Sequence, residues 1–536
     1  MSIDFIYLYL LIGLYFSCFW KIFEKAGHEK WKSFVPGLNF YIWLKIMKKP
    51  WWWILILLIP GANYMLLVVM HVELARSYGR RAWHDTLVAV TLPHYTILSL
   101  ALDTKIRYTG PVDYKGVHRS RGAEWLDAFV FALIAAFIIR VYTFELYKIP
   151  TGSMEKSMMI GDYLLVSKIN YGPRVPNTPL SIPFFHNNIP GVNWNSYFDW
   201  LPTKYTRLPG FQNIKRNDVV VFNFPANDTA INDPYYGGHT YSQIVRNNGF
   251  EIWLRNNPNK NPFDFEKEKA RYFEMVRKDI DNQFGLKTRP VDKRENYIKR
   301  CVAIAGDSIS IVNGKIYING KENELSPTGQ YVYSMKLNNV FDDFEIKKNL
   351  DINRDPSRYS QGLAHVKMAM SESVAEKIAR YPNVDSIWID WKEKGYYNNF
   401  KSEYGMMPQY LPIFPNHMEI DWTEDNFGPL YLPKKGDKIE LTKENALIYR
   451  RAIEAYEGNK FEEKTDGVYL NSKLATEYTF KMDYYWLMGD NRHESADSRF
   501  WGYVPVNHVV GKAIFIFYSS DPETGSRWNR AFSLIK

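Results

Sequence analysis

The sequence predicts a chain in which N-terminal transmembrane α-helices precede a mainly β extracytoplasmic domain that carries α+β insertions. Two observations indicate this class. Several long and nearly uncharged apolar runs lie within the first 145 of the 536 residues, whereas the remainder is polar and contains short β-branched and aromatic runs bounded by turn residues. The overall composition, 46% hydrophobic and 23% charged, excludes a disordered, collagen-like or coiled-coil chain.

Four apolar runs are candidates for membrane spans, because each approaches the length that a helix needs to cross about 30 Å of hydrocarbon. The first is expected to be retained, since it opens Met-Ser-Ile-Asp and lacks the small-residue cleavage site of a signal peptide. The second is interrupted by Pro60-Gly61 and is alternatively a re-entrant hairpin, and the third is alternatively a buried core helix. The runs are residues 3–20, 51–70, 86–102 and 125–144.

The distribution of Lys and Arg orients these spans. Residues 21–50 hold seven and residues 103–124 hold five, against three between the second and third runs. Because positive loops stay in the cytoplasm, everything after residue 144 is expected outside the cytoplasmic membrane. The net charge of +9 comes mostly from these loops, so no nucleic-acid partner is expected. Two distant cysteines, Cys18 and Cys301, predict no structural disulfide.

The remaining patterns predict strands, helices and their grouping. Strands are predicted at 163–166, 219–222, 308–318 and 509–518, with a two-residue hairpin turn at Asn313-Gly314. Helices are predicted at 265–280, from a capping box at Ser373 to a stop before Pro382, and from Thr442 to Gly458. The parts are a multi-span region of about three spans at 1–122, an anchor helix at 123–146, a β-rich core at 147–225, 295–324 and 480–520, insertions at 226–294 and 325–479, and a tail at 521–536.

Three short segments carry groups with reactive chemistry. Ser153 lies in a Pro-Thr-Gly-Ser-Met turn just after the last apolar run, and Lys299 stands among apolar residues before the predicted hairpin. A third segment, residues 488–502, is dense in turn formers and charge. Taken one at a time, each has an ordinary structural explanation. Ser153 is typical of a turn serine that hydrogen-bonds to nearby backbone, and Lys299 of a lysine whose aliphatic stem is buried while its ammonium reaches water. The third segment is typical of a solvated loop. Their joint occurrence favours a functional reading.

Together these segments resemble bacterial type I signal peptidase, the leader peptidase, over about residues 123–225, 295–324 and 480–520. Thr151 and Asn217 depart from the residues that many members of that family have, serine and glycine. The matching segments occur in the order of the family and are Pro-Thr-Gly-Ser153-Met, Gly161-Asp162, Arg216-Asn-Asp218 through Phe222, Tyr297-Ile-Lys299-Arg300 with Gly306-Asp307, and Gly489-Asp-Asn-Arg through Ser495-Ala-Asp497-Ser-Arg499.

The resemblance implies a coiled β-sheet fold and a catalytic dyad. Ser153 attacks the scissile carbonyl, and Lys299 acts as general base once burial favours its neutral amine, with an acyl-enzyme as intermediate. No metal or cofactor is required. The oxyanion is held by the Ser153 backbone N–H and, by resemblance, the Thr151 hydroxyl.

Residues of the third segment are expected to support the dyad. The resemblance gives Ser495 the task of hydrogen-bonding and orienting Lys299. Asp497 and Arg499 are expected to form an ion pair that holds the loop, and Asp490 is a structural support. The implied partners are signal peptides of secretory preproteins, with small residues at −1 and −3, and the lipid bilayer. The implied location is the bacterial cytoplasmic (inner) membrane, with the catalytic domain on its periplasmic side; the oligomeric state is not predicted.

Two other functions compete with this reading. Ser153-Met-Glu-Lys156 matches the Ser-x-x-Lys motif of penicillin-interacting acyltransferases, but the Lys-Thr-Gly or Lys-Ser-Gly tripeptide that those enzymes need does not occur. The second alternative is a non-enzymatic, membrane-anchored scaffold whose insertions bind partners. His-Glu-x-x-His, paired Cys-x-x-Cys and the phosphate-loop pattern are absent from the sequence, which argues against a metalloprotease, a zinc module or a nucleotide enzyme.

Overall fold

A computed structural model of the chain forms two compact units, Met1–Tyr142 with Val175–Lys204, and Thr143–Arg174 with Tyr205–Lys536. Residues 175–204 fall in the first unit, whereas the sequence grouped them with the β-rich core, a grouping that stays a prediction. In the described part of this segment, Ser181 and Tyr197 form an isolated bridge and none of the named strands is found. The structure describes residues 18–112, 121–182, 184–189, 191–192, 194–198, 203–226, 229–231, 240–323, 326–339, 365–399, 410–521 and 525–535.

The first unit is helical. Its buried cluster includes Phe23, Trp43, Met70 and Leu100, which come from four separate segments and pack together out of solvent. Its α-helices are Leu38–Ile46, Trp53–Leu57, Ala62–Ser77, Trp83–Thr91, Pro93–Leu102 and Arg121–Tyr142.

Among the described residues, one helix is long and apolar enough to cross a membrane, Glu124–Tyr142. The helices Trp83–Thr91 and Pro93–Leu102 meet at 115° and count as a second span only if they are one broken helix. The predicted span at 51–70 is divided, since Gly61 has a φ of +86° that ends helical geometry between the helices Trp53–Leu57 and Ala62–Ser77. The run at 3–20 lies largely outside the described residues. The expected multi-span membrane region is therefore not confirmed.

The second unit is built on an antiparallel β-sheet of nine strands. The strands are β1 (Phe144–Lys148), β2 (Asp162–Ser167), β3 (Val219–Asn223), β4 (Asn296–Ala303), β5 (Tyr484–Met488), β6 (Val504–Pro505), β7 (Val509–Asp521), β8 (Gly525–Ser526) and β9 (Ser533–Leu534). Seven of them follow one another across the sheet in the order β1-β2-β7-β3-β4-β5-β6, every neighbouring pair is antiparallel, and β8 and β9 both pair with β7. The predicted tail therefore adds to this sheet.

Strand β3 lies at the centre of this sheet and is buried on both faces. Val219 and Val221 pack into one core with Met154 and Met158, as the period of two in a strand requires. Val220 and Phe222 point to the other side, into a core that contains Trp501. The sheet therefore separates two apolar layers, and the side chains of its central strand are removed from water.

The first insertion forms two helices, Tyr241–Asn256 and Phe265–Phe284, beside a pair of short strands, Thr229–Ile231 and Leu286–Thr288. The second helix confirms the prediction at 265–280 and ends at Gly285, whose φ of +69° only glycine adopts readily. The first helix was not predicted. Its signal was Thr240, whose hydroxyl accepts a hydrogen bond from the Gln243 backbone N–H at 3.2 Å and so caps the helix.

Several small sheets and two helices make up the second insertion and the segment before it. The predicted hairpin is confirmed, since Asn313 and Gly314 both have positive φ, +46° and +75°. The helix predicted from Ser373 instead begins one residue earlier, at Glu372, because Ser371 is already extended and its carbonyl accepts the first helical N–H bonds. The helices are Glu372–Ile378 and Lys443–Arg451, the latter continued by a π-helical turn at Ala452–Tyr456.

Strands outside the main sheet form four further groups. The four-stranded group joins the hairpin to a strand of the second insertion, so the two predicted parts share a core. The groups are Ser308–Val312, Lys315–Ile318, Lys321–Asn323 and Phe427–Tyr431; Tyr331–Leu337, His365–Met370 and Val384–Trp388; Lys438–Glu440 and Glu477–Thr479; and Phe461–Lys464, Gly467–Leu470 and Lys473–Leu474.

Candidate active site

Ser153 lies in a tight turn between β1 and β2. Thr151 is extended, with φ −135° and ψ 156°, and residues Gly152–Met154 form a single 3₁₀ turn. Burial of the Met154 side chain, which is 1% exposed, anchors this turn in the core beneath the sheet. On the other side, the Asn491 backbone N–H donates to the Ser153 carbonyl at 3.2 Å and the Asn491 side chain donates to the Gly152 carbonyl at 3.3 Å. The serine hydroxyl is therefore held on a turn that is fixed from both sides.

Lys299 lies on β4, next to the central strand, and its amine reaches the hydroxyl of Ser153. Nζ is 2.6 Å from Ser153 Oγ and 3.1 Å from the Ile298 carbonyl oxygen. The residue is only 3% exposed. Burial disfavours the ammonium and lowers the pKa of Lys299 to about 8, although the negative charges of Asp497 and Asp490 oppose this shift. A substantial fraction of the amine is therefore neutral in weakly basic solution, as a general base requires.

Asp490 forms a buried ion pair behind the dyad. The Arg300 guanidinium donates to both carboxylate oxygens, at 2.8 and 2.7 Å, and the two side chains are 4% and 0% exposed. The hydroxyl of Ser157 also donates to Asp490. Burial by itself raises the pKa of Asp490, but the hydrogen bond and positive charge of Arg300 outweigh it and hold the pKa below its usual value. This pair joins β4 to the loop that carries Asn491.

Asp497 and Arg499 form a second buried ion pair within that loop. The guanidinium donates to both carboxylate oxygens at 2.9 and 2.8 Å, and the residues are 0% and 2% exposed. Asp497 also accepts the backbone N–H of Gly489 at 3.1 Å and caps the short helix Ser498–Trp501. The loop therefore contains the expected ion pair of Asp497 with Arg499. Through its hydrogen bond with Gly489, Asp497 also fixes the backbone beside Ser153.

The hydrogen bond expected between Ser495 and Lys299 is not among the contacts of the described residues. The hydroxyl of Ser495 donates instead to the Ala496 carbonyl at 3.4 Å, and the hydrogen bonds of Nζ go to Ser153 and Ile298. The Ser495 hydroxyl also lies close to Gly489, where a Cβ would be 2.2 Å from Oγ. The lysine amine is held by its hydrogen bonds to Ser153 and the Ile298 carbonyl, and the orienting role of Ser495 stays a prediction.

Three contributors to the site were given no role from the sequence, although two of them, Arg300 and Gly489, lie in the matching segments; the third is Ser157. Arg300 had a recognisable signal, because an arginine inside an apolar strand needs a buried acidic partner. At Gly489 there is no room for a side chain, since a Cβ there would lie 2.6 Å from the Ser153 carbonyl oxygen. Ser157 had no signal. The other expected oxyanion group, the Thr151 hydroxyl, belongs to an exposed residue two positions before Ser153.

A serine hydroxyl beside a buried lysine amine on an antiparallel sheet is the arrangement of a serine hydrolase. The chain belongs to the family described as signal peptidase, peptidase S26, whose model matches residues 122–354 and 434–518, more than half of its length. It is therefore a serine peptidase. Residues 31–111 match a second family, DUF5684, which is of unknown function.

Individual relatives agree with this assignment. Signal peptidase I of Haemophilus influenzae is 24% identical over 425 residues, which cover 78% of this chain and 77% of the relative. Signal peptidase I of Buchnera aphidicola subsp. Acyrthosiphon pisum is 22% identical over 414 residues, or 76% and 81% of the two chains. Signal peptidase I of Aquifex aeolicus is 61% identical over a short stretch of 36 residues, 7% of this chain and 14% of the relative.

Proposed function

We propose that this protein is a membrane-bound serine endopeptidase that removes signal peptides from exported preproteins through a dyad of Ser153 and Lys299. The observation that carries the proposal is the 2.6 Å contact between Ser153 Oγ and a lysine amine that is almost fully buried. The family assignment supports signal-peptide cleavage as the reaction. In this proposal, the contact between Ser153 Oγ and Lys299 Nζ provides the nucleophile and the general base of that reaction.

The dyad performs two proton transfers in each half of the reaction. Neutral Lys299 takes the hydroxyl proton of Ser153 as Oγ attacks the scissile carbonyl carbon. The same proton passes to the leaving amine as the C–N bond breaks, which leaves an ester between Ser153 and the signal peptide. Lys299 then takes a proton from the attacking water and returns it to Oγ when the ester is hydrolysed. Each cycle restores the neutral amine.

The developing oxyanion requires donors on the serine turn. The proposed donors are the backbone N–H of Ser153 and the hydroxyl of Thr151, each worth roughly a hundredfold in rate. The turn that carries both groups is anchored by Met154 and clamped by Asn491. Because these contacts hold the donors before substrate arrives, little reorganisation is needed during the reaction.

The substrate class follows from the anchor that precedes the site. The helix Glu124–Tyr142 has the length and composition of a membrane span, and Ser153 follows its end by 11 residues. An extended chain of that length reaches at most roughly 40 Å, and we propose that the hydroxyl works at the membrane surface. We place the site on the outer face of the bacterial cytoplasmic membrane, where a signal peptide's apolar segment ends, with small residues at −1 and −3.

The test is cleavage of a model preprotein with Ala at −1 and −3 by the full chain in detergent, with the cut site read by mass spectrometry. Ser153→Ala and Lys299→Ala are each expected to reduce the rate to the uncatalysed level. Lys156→Ala is the matched control and is expected to cleave normally. Loss of activity in Lys156→Ala but not in Lys299→Ala, or labelling of Ser153 by benzylpenicillin, would overturn the dyad in favour of a penicillin-interacting enzyme. No cut by the unaltered chain would favour a scaffold.

A further inference from the structure

A cavity of about 620 Å³ lies in the second unit, between the helices of the first insertion and the helix Lys443–Arg451. Its remaining wall belongs to the peptidase core, including Tyr297 and Trp501. Both insertions therefore contribute to a single depression against the core. Neither insertion carries a chemical motif of its own, so this shared cavity is the first indication of what they do.

The lining of this cavity is strongly cationic. It contains five Lys and Arg side chains and no Asp or Glu. Three of the five are paired with a carboxylate on their own helix or its continuation, at 2.5 to 4.0 Å, and these pairs are partly exposed. The five residues are Arg246, Lys269, Arg277, Arg450 and Arg451, and the three pairs are Lys269 with Glu266, Arg277 with Glu274, and Arg450 with Glu454.

Arg246 is different, because nothing within the described residues neutralises it. Its Nε is buried without a hydrogen-bond acceptor, and the structure records no ion pair to its guanidinium among those residues. Burial lowers the pKa of Arg246 to about 10, and the nearby charge of Arg451 adds to this effect while Tyr410 opposes it. A guanidinium has five N–H donors in a planar fork that matches a carboxylate. Arg246 lines a cavity whose lining contains no carboxylate.

The cavity also lies beside the dyad. Tyr297 is two residues before Lys299 on β4, and the centre of its ring is 5.9 Å from Lys299 Nζ. Ala496, another lining residue, follows Ser495 in the loop that clamps the serine turn. A polypeptide bound across Ser153 therefore has this cavity within the reach of a few residues, at about 3.3 Å per residue.

We propose that the cavity binds an acidic side chain of the substrate's mature segment, the polypeptide that follows the scissile bond, and that Arg246 is the residue that pairs with its carboxylate. The proposal rests on the proposed function. The signal peptide itself ends in apolar and small residues, which gain nothing from a cationic pocket. The mature segment is polar and leaves the membrane surface, so it is the part of a preprotein that this chemistry selects.

The test compares kcat/KM for matched preproteins that carry a single Asp, Asn or Lys at each position from +2 to +8, with Ala at −1 and −3 throughout. At one position or more, the unaltered enzyme is expected to prefer Asp by about tenfold, the effect of one charge-assisted hydrogen bond. Arg246→Gln is expected to bring this ratio near one, and Arg246→Glu to favour Lys over Asp there. Arg255→Gln, on the exposed face of the same helix and 71% exposed, is the matched control and should keep the preference.

A binding measurement separates this proposal from the proposed function. Fluorescence anisotropy of a labelled mature-segment peptide with Asp is measured on the Ser153→Ala chain, so that no cleavage is required. Tighter binding of the Asp peptide than of its Asn counterpart, lost in Ser153→Ala/Arg246→Gln, supports the site even if cleavage fails. Equal kcat/KM for Asp and Asn substrates at every position, or equal binding of the two peptides, would overturn it. Folding of each variant is checked by its thermal unfolding midpoint.

Discussion

The rate of signal-peptide cleavage is expected to follow the ionisation of Lys299. Because burial lowers its pKa to about 8, roughly one amine in eleven is neutral at pH 7 and ten in eleven at pH 9. Only the neutral amine accepts the serine proton, so kcat/KM should rise about tenfold between these two pH values and level off above pH 9. An unburied lysine would behave differently. With a pKa near 10.4 its neutral fraction would rise about a hundredfold over the same interval and would not level off by pH 9.

The assay uses a fluorogenic peptide with Ala at −1 and −3, cleaved by the full chain in detergent from pH 6 to 10. Substrate ionisation is kept constant by leaving Asp, Glu, His, Lys and Cys out of the peptide. A profile that is flat from pH 6 to 9, or one that still climbs steeply at pH 10, would refute the assignment of a buried neutral Lys299 as general base.

Two substitutions test the packing behind the dyad. Gly489→Ala should lower kcat by about a hundredfold and leave the rest of the fold intact. A Cβ at this position would lie 2.2 Å from Ser495 Oγ and 2.6 Å from the Ser153 carbonyl oxygen, so the serine turn must move. A displacement of about 1 Å has a cost of this size. Arg300→Met should lower the free energy of unfolding by about 3–5 kcal/mol, measured by thermal unfolding, because it leaves the fully buried Asp490 carboxylate unpaired.

Each of these substitutions has a matched control. Gly122→Ala adds a Cβ that meets nothing within 4 Å, so its activity should equal that of the unaltered chain. Lys438→Met breaks an exposed pair with Glu477, whose side chains are 62% and 59% exposed, and should change stability by less than about 1 kcal/mol. Normal activity in Gly489→Ala, or the same small loss of stability in Arg300→Met as in Lys438→Met, would contradict the packing described here.

Local patterns in the sequence predicted the helices and turns that interactions between neighbouring residues stabilise. The hairpin at Asn313-Gly314 forms because those two residues accept positive φ, and the helix Phe265–Phe284 forms along an amphipathic run that glycine ends. The membrane region shows the limit of this reasoning. Apolar composition alone indicated four spans, but Pro60-Gly61 divides one run and a 115° bend divides another, so one described helix meets the requirements of length and apolarity by itself.

The residues of the candidate site were recognisable, but their arrangement was not. Ser153 and Lys299 are 146 positions apart, and their 2.6 Å contact depends on how β4 lies beside the serine turn. The ion pair of Arg300 with Asp490 and the approach of Gly489 to the Ser153 carbonyl likewise join distant segments by tertiary packing. The cationic cavity around Arg246 forms only when both insertions fold against the core, so the sequence alone did not predict it.

The amino-acid sequence by itself indicated a candidate nucleophile, Ser153, and a candidate base, Lys299, and a resemblance to signal peptidases. Tertiary structure alone decided that the amine is out of water, that it touches the Ser153 hydroxyl, and that its other hydrogen bond goes to the Ile298 carbonyl. The physical reason is that the pKa of a lysine depends on the polarity and charges around it. Residues from distant parts of the chain form those surroundings, so no local sequence pattern predicts them.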